Sequence, residues 1–165
     1  MSRQQRIDAN RMNRESDATT RWQDVRYVGF LVAIVVIVAV VWRVFQGDVQ
    51  FCRSVFHDLV AAKLSVARHI DWEHLQAMEQ SIGKDYAAFT TDKEREIYRE
   101  GFIRGVAQGF QSSGARAKDF TNWRVHGHTP EQITIAADYP KKQQTLLLVM
   151  SASGPKKLVG IQWLQ

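Results

Sequence analysis

Thr145-Leu146-Leu147-Leu148-Val149-Met150-Ser151 decides how the C-terminal half of this chain is built. Five consecutive apolar residues between two hydroxyl residues are too few for a helix of ordinary length. They carry no alternation, as expected of a strand that is central in its sheet and covered on both faces. Outward from it, the period-two segments are residues 120–126, 132–138 and 158–164. In the second of these Ile133, Ile135 and Ala137 share a face, and in the last Val159, Ile161 and Trp163 do. Thr129-Pro130, Tyr139-Pro140-Lys141-Lys142 and Ser153-Gly154-Pro155 supply the turns between them. Connections this short predict a four-stranded antiparallel meander over residues 118–165.

Upstream the period changes to that of a helix. Val49, Cys52, Val55, Phe56, Leu59, Val60, Val66, Ala67 and Ile70 predict an amphipathic helix that begins with Asp48 as its N-cap and ends near His69. Asp71 caps a short second helix whose Leu75 and Met78 face inward, and Ser81-Ile82-Gly83 stops it. Thr91-Asp92-Lys93-Glu94 has capping-box spacing, which places a third helix from there to about Ser112. Gly101, Gly105 and Gly109 fall on one face of it. Each costs roughly 1 kcal/mol against alanine in a helix interior, so the spacing asks for a close backbone approach. The nearest explanation is packing against the domain's own sheet or first helix; the sharper one is a docking face for a second subunit. Helices over 48–112 followed by strands over 118–165 give an α+β domain with helices packed on a curved sheet.

Ahead of that domain, residues 27–42 form a run of sixteen without a charged or strongly polar side chain, nine of them Val or Ile. Extended across Arg43 to Phe45, the run makes roughly 28 Å of helix at ~1.5 Å per residue, against a bilayer core of about 30 Å. Tyr27 and Trp42 lie near its ends, where amphipathic rings favour the headgroup region, and Arg43 can extend its charge to the same boundary. A cleaved leader would need a small residue where Phe45 stands, so residues 25–46 read as an uncleaved transmembrane signal anchor. Arg3, Arg6, Arg11, Arg14, Arg21 and Arg26 precede it, whereas Arg43, Arg53 and Lys63 follow. That asymmetry orients the N-terminus to the cytoplasm and residues 48–165 outward, into the periplasm of a bacterium with the anchor in the inner membrane. Residues 1–24 are too poor in aliphatic side chains to offset their own ordering and read as a disordered cytoplasmic tail.

The net charge of +5 is spread along the chain, with no concentrated basic patch for nucleic acid. Cys52 is the single cysteine, so no internal disulfide can form, and next to the anchor it reads as a small buried hydrophobe. The five histidines, His57, His69, His74, His126 and His128, lack the paired spacing of a zinc site. No metal or cofactor is expected. No nucleophile elbow or phosphate loop is present, since the glycine and lysines of residues 153–157 lack the required spacing and following helix.

The Phe102-Ile103 helix, the Asn122-Trp123-Arg124-Val125 strand and the terminal Ile161-Gln162-Trp163-Leu164 strand complete an order of elements. Anchor, long helix, shorter helices and sheet together resemble the membrane-anchored branch of the nuclear transport factor 2-like superfamily. The comparison is with the inner-membrane assembly subunit of type IV secretion systems. The resemblance implies a scaffold whose outward domain contacts several proteins, and it transfers no functional residue. The expected function is therefore a non-enzymatic, membrane-anchored interaction or assembly module of a cell-envelope complex. Its partners would be the lipid bilayer and other envelope subunits, with a second copy of the chain also admissible. The alternative is a small enzyme or ligand-binding domain with an acid–base pocket inside a cone-shaped sheet. Asp71, Tyr98, Trp123 and His126 are the residues to examine for it.

Overall fold

The computed structural model describes residues 30–40, 43 and 46–164. The chain divides into two compact units, residues 1–44 and 45–165. In the first, residues 30–40 are helical and every one of them is exposed; Tyr27 and Trp42, with the expected tail over 1–24, lie outside the described residues. Eleven helical residues span ~16 Å, and among the described residues no helix is long and apolar enough to cross a membrane.

The second unit opens with helix α1, residues 46–60. Gly47 and Asp48 are part of it, so the break expected at these two residues is absent and Asp48 is not a cap. Its carboxylate is buried and takes an ion pair from Lys156, far along the chain. Cys52, Val55, Phe56, Leu59 and Val60 form the buried stripe. The helix ends earlier than its apolar pattern, because Ala62 turns left-handed at φ 56°. The remaining apolar positions continue as a 3-10 helix, Leu64–His69.

The expected second helix is absent. Ile70 and residues 76–77 instead pair in parallel with the last strand, with a turn at 72–74 between them. Asp71 N–H donates to the Leu158 carbonyl at 2.9 Å, and the two-residue strand β1 (Gln76–Ala77) pairs with Gly160 and Ile161. β1 then turns through Met78 and Glu79 into β2 (Gln80–Ser81). Both turn residues have positive φ, 49° and 69°, the geometry of a type I′ hairpin that ordinarily carries Asn-Gly. Ile82 and Gly83, read as a stop, begin helix α2, Ile82–Ala87. Gly83 sits against the chain at Glu73, where an added Cβ would lie 2.1 Å from the carbonyl oxygen. Helix α3 spans Asp92–Ser112 with its capping box formed. The Thr91 hydroxyl accepts from Glu94 N–H at 3.2 Å, and the Glu94 carboxylate accepts from Thr91 N–H at 3.1 Å.

Four long strands follow: β3 (Thr121–His128), β4 (Gln132–Tyr139), β5 (Gln144–Ser151) and β6 (Leu158–Leu164). They pair antiparallel in a meander, as the turns require. The sheet is nevertheless six-stranded and mixed, ordered β2-β1-β6-β5-β4-β3, rather than four-stranded and antiparallel. β5 is interior to it. Alternate residues of β4 and β5 (Ile133, Ile135, Ala137 and Tyr139; Leu146, Leu148 and Met150), with Leu158 and Ile161 on either side of an irregularity in the β5–β6 pairing, join the stripe of α1 with Ile103 and Phe110 of α3 in one apolar core. Leu147 and Ala136 point to the opposite face and are also buried. Phe56 is the centre of the helix–sheet contact, its ring 4.8–5.5 Å from those of Phe110, Phe120 and Trp123.

Candidate functional site

The three glycines of α3 face away from that core. Ile103, Ala107 and Phe110 are its buried residues, and at ~100° per residue Gly101, Gly105 and Gly109 fall toward the opposite side of the helix. An added Cβ at any of them would meet nothing within 4 Å. The expectation that they pack against the domain's own sheet or first helix is therefore overturned. Ile97, one turn before Gly101 on the same face, is 62 % exposed. The result is a smooth, solvent-facing strip of backbone about 12 Å long between the first glycine and the third.

Where this strip ends, at Gly109, a cavity of about 330 Å³ opens between the last turns of α3 and the sheet. Val106 and Phe110 of α3, Ala115 after it, and Tyr139 and Trp163 of the sheet form an almost wholly apolar lining. Tyr139 and Trp163 close a triangle of rings with Phe120, the centroids 5.0–6.4 Å apart. The rim carries Ser113, Gln144, Met78 and Lys142. Met78 belongs to the positive-φ hairpin, and Gln143, between Lys142 and Gln144, is left-handed too at φ 53°. Non-glycine residues cost of order 1–3 kcal/mol each in sparsely populated backbone regions and persist only where the surroundings enforce them. Two of the segments that supply the lining have such backbone.

The four residues examined for an acid–base pocket do not converge. Asp71 lies in the segment along β6, hydrogen-bonded to His74 at 3.1 Å. Tyr98 packs on Phe89 and Tyr86, and desolvation with the nearby Asp85 carboxylate raises its phenol above the usual range. Trp123 is part of the core edge, its indole donating to the Phe120 carbonyl at 3.1 Å. His126 is exposed on β3, three strands from β6 and so roughly 14 Å across the sheet at ~4.8 Å per strand. A larger concavity of about 660 Å³ includes Asp71, His74, Glu79, Glu131 and Gln162. Among the described residues no group of three or more His, Cys, Asp or Glu side chains is arranged to hold a metal ion. Arg43, the described member of the expected anchor boundary, is helical and exposed.

Cys52 is buried in α1, and burial pushes its thiol up to about 12. It is a packing residue, with no thiolate to offer at neutral pH. Comparison with family models, with curated proteins and with solved structures returns no match.

Sequence reasoning missed the cavity entirely. Its lining comes from four separated segments, and the strained Met78–Glu79 turn that closes one side contains none of the glycine or asparagine that would mark it.

Proposed function

We propose that this chain is a membrane-anchored, non-enzymatic interaction module of a cell-envelope assembly. In this reading residues 25–46 form a single transmembrane anchor, the N-terminus is cytoplasmic and the folded domain lies outside. The carrying observation is the exposure of Phe30, Leu31, Val32, Ile34, Val35, Val36, Ile37, Val38 and Val40, at 41–67 % each, while the core of the second unit is made without them. A contiguous apolar surface of that extent is an interaction site by default, and the sixteen-residue run to which these residues belong suits hydrocarbon. The resemblance to the type IV secretion assembly subunit belongs to the same proposal, as does the absence of enzymatic activity.

The partner is another envelope protein, which lays a helix along the Gly101, Gly105 and Gly109 strip. Glycines in a solvent-facing helix interior weaken the helix and contribute no packing within the chain, so close approach of a second backbone is what supports their presence. Gentle detergent extraction followed by identification of co-purifying proteins tests the proposal. Gly105→Leu should remove a specific partner while the domain stays folded. Elution of the wild-type protein alone, as a monomer, would sink the subunit reading.

A further inference from the structure

We infer that the cavity at the end of α3 is a binding site for a small amphipathic anion, an aliphatic chain or aryl group ending in a carboxylate or sulfonate. Its volume of about 330 Å³ falls within the range of about 300–1,000 Å³ typical of small-molecule sites. Val106, Phe110, Tyr139 and Trp163 make the interior apolar, which suits a chain or ring and supplies few hydrogen-bonding groups.

The head group is fixed by the rim. Lys142 is the one charged residue in the lining. The ion pairs of the described residues leave it unmatched, although the adjacent Lys141 is bound to Asp119 at 2.9 Å. An ammonium beside an apolar cavity with no carboxylate in the lining attracts an anion and repels a cation. Gln144 and Ser113 can donate further hydrogen bonds there. Met78, in the lining, and Gln143, between Lys142 and Gln144, both have left-handed backbone, which fits the same assignment, because strain of this kind is retained where a site must hold a particular shape. This inference is independent of the membrane reading, since it uses only residues of the second unit.

The test is photo-crosslinking of the purified full chain with an octanoate that carries a diazirine, the adducts being mapped by peptide mass spectrometry. Labelling should concentrate on Met78, Val106 and Trp163, and unlabelled octanoate should compete. Gly109 borders the cavity and an added Cβ there is unobstructed, so Gly109→Leu should fold and narrow the opening, and labelling there should fall. Gly101→Leu, on the same helix but away from the cavity, leaves labelling intact. Lys142→Glu, a surface change, lowers apparent affinity at least tenfold, and the neutral diazirine octanol labels wild type correspondingly weakly. Labelling scattered over the surface, or unchanged in Gly109→Leu, overturns the site; equal labelling by the alcohol and the carboxylate overturns the anion.

Discussion

Phe56 shows how much of this domain depends on single side chains. It is buried from solvent and meets the rings of Phe110, Phe120 and Trp123, so it links α1, α3 and the sheet in one contact. Phe56→Ala should cost about 3–5 kcal/mol, measured by urea unfolding, with α3 and the sheet melting together. Its neighbour His57 sets part of the pH response. The Nε2 atom is buried without a hydrogen-bond partner, and desolvation, assisted by Arg53, holds the imidazole below its ordinary value of 6.5. The unfolded chain therefore takes up this proton first, and stability falls as the pH drops through the unfolded value. Asp138, held low by Asn122 and Arg124, and Asp119, held low by Lys141, add stability above the ordinary carboxylate range that is lost below it. Unfolding midpoints should thus decline in two stages on acidification, and His57→Gln should remove the one nearer neutrality.

At the scale of elements, α3 was the most legible part of the chain and its glycines the least. Thr91 and Glu94 announced its start through side-chain chemistry that is local, and local chemistry survives folding unchanged. Which face the glycines would take depended on partners elsewhere, and no such partner exists within the described chain. Gly101→Ala and Gly105→Ala are each expected to stabilise the isolated protein by roughly 0.5–1 kcal/mol, read from the unfolding midpoint, while weakening any complex that uses the strip. Gly83→Ala goes the other way, because its Cβ would strike the Glu73 carbonyl, and it should loosen α2 from β1. The four long strands were legible from alternation and turn residues. The β1–β2 hairpin was not, since two-residue strands have no period and Met78-Glu79 is an atypical pair for its turn. The mixed sheet follows from that one omission. The cavity was hidden for a related reason: Gly109, Tyr139, Lys142 and Trp163 are adjacent only after the sheet has formed. The sheet's two edges are both blunted, β2 by its length and β3 by the bulges at Thr121/Arg124 and Val125/Gly127, which disfavours assembly by added strands.

For the molecule as a whole, the core draws on residues between Cys52 and Ile161, so removal of residues 1–45 should leave a domain that unfolds cooperatively, as checked by far-ultraviolet circular dichroism. Orientation has a clean assay as well. With Cys52 replaced by serine and a cysteine appended after Gln165, a membrane-impermeant maleimide should label intact cells; protection until lysis would reverse the topology. Native Cys52 should stay unlabelled in either case while the fold is intact. The pairing of Asp48 with Lys156 gives that architecture a mechanical dimension. Asp48 lies in the first turn of α1, where any pull transmitted through the preceding chain enters, and its partner lies 108 residues away in the turn between β5 and β6. A load on the preceding chain is thereby shared between the first helix and the turn that joins β5 to β6 from the outset, instead of peeling α1 away one turn at a time. The clamp converts an unzipping geometry into a shearing one, so Lys156→Met should lower the unfolding force in single-molecule pulling from the N-terminus far more than in pulling from the C-terminus.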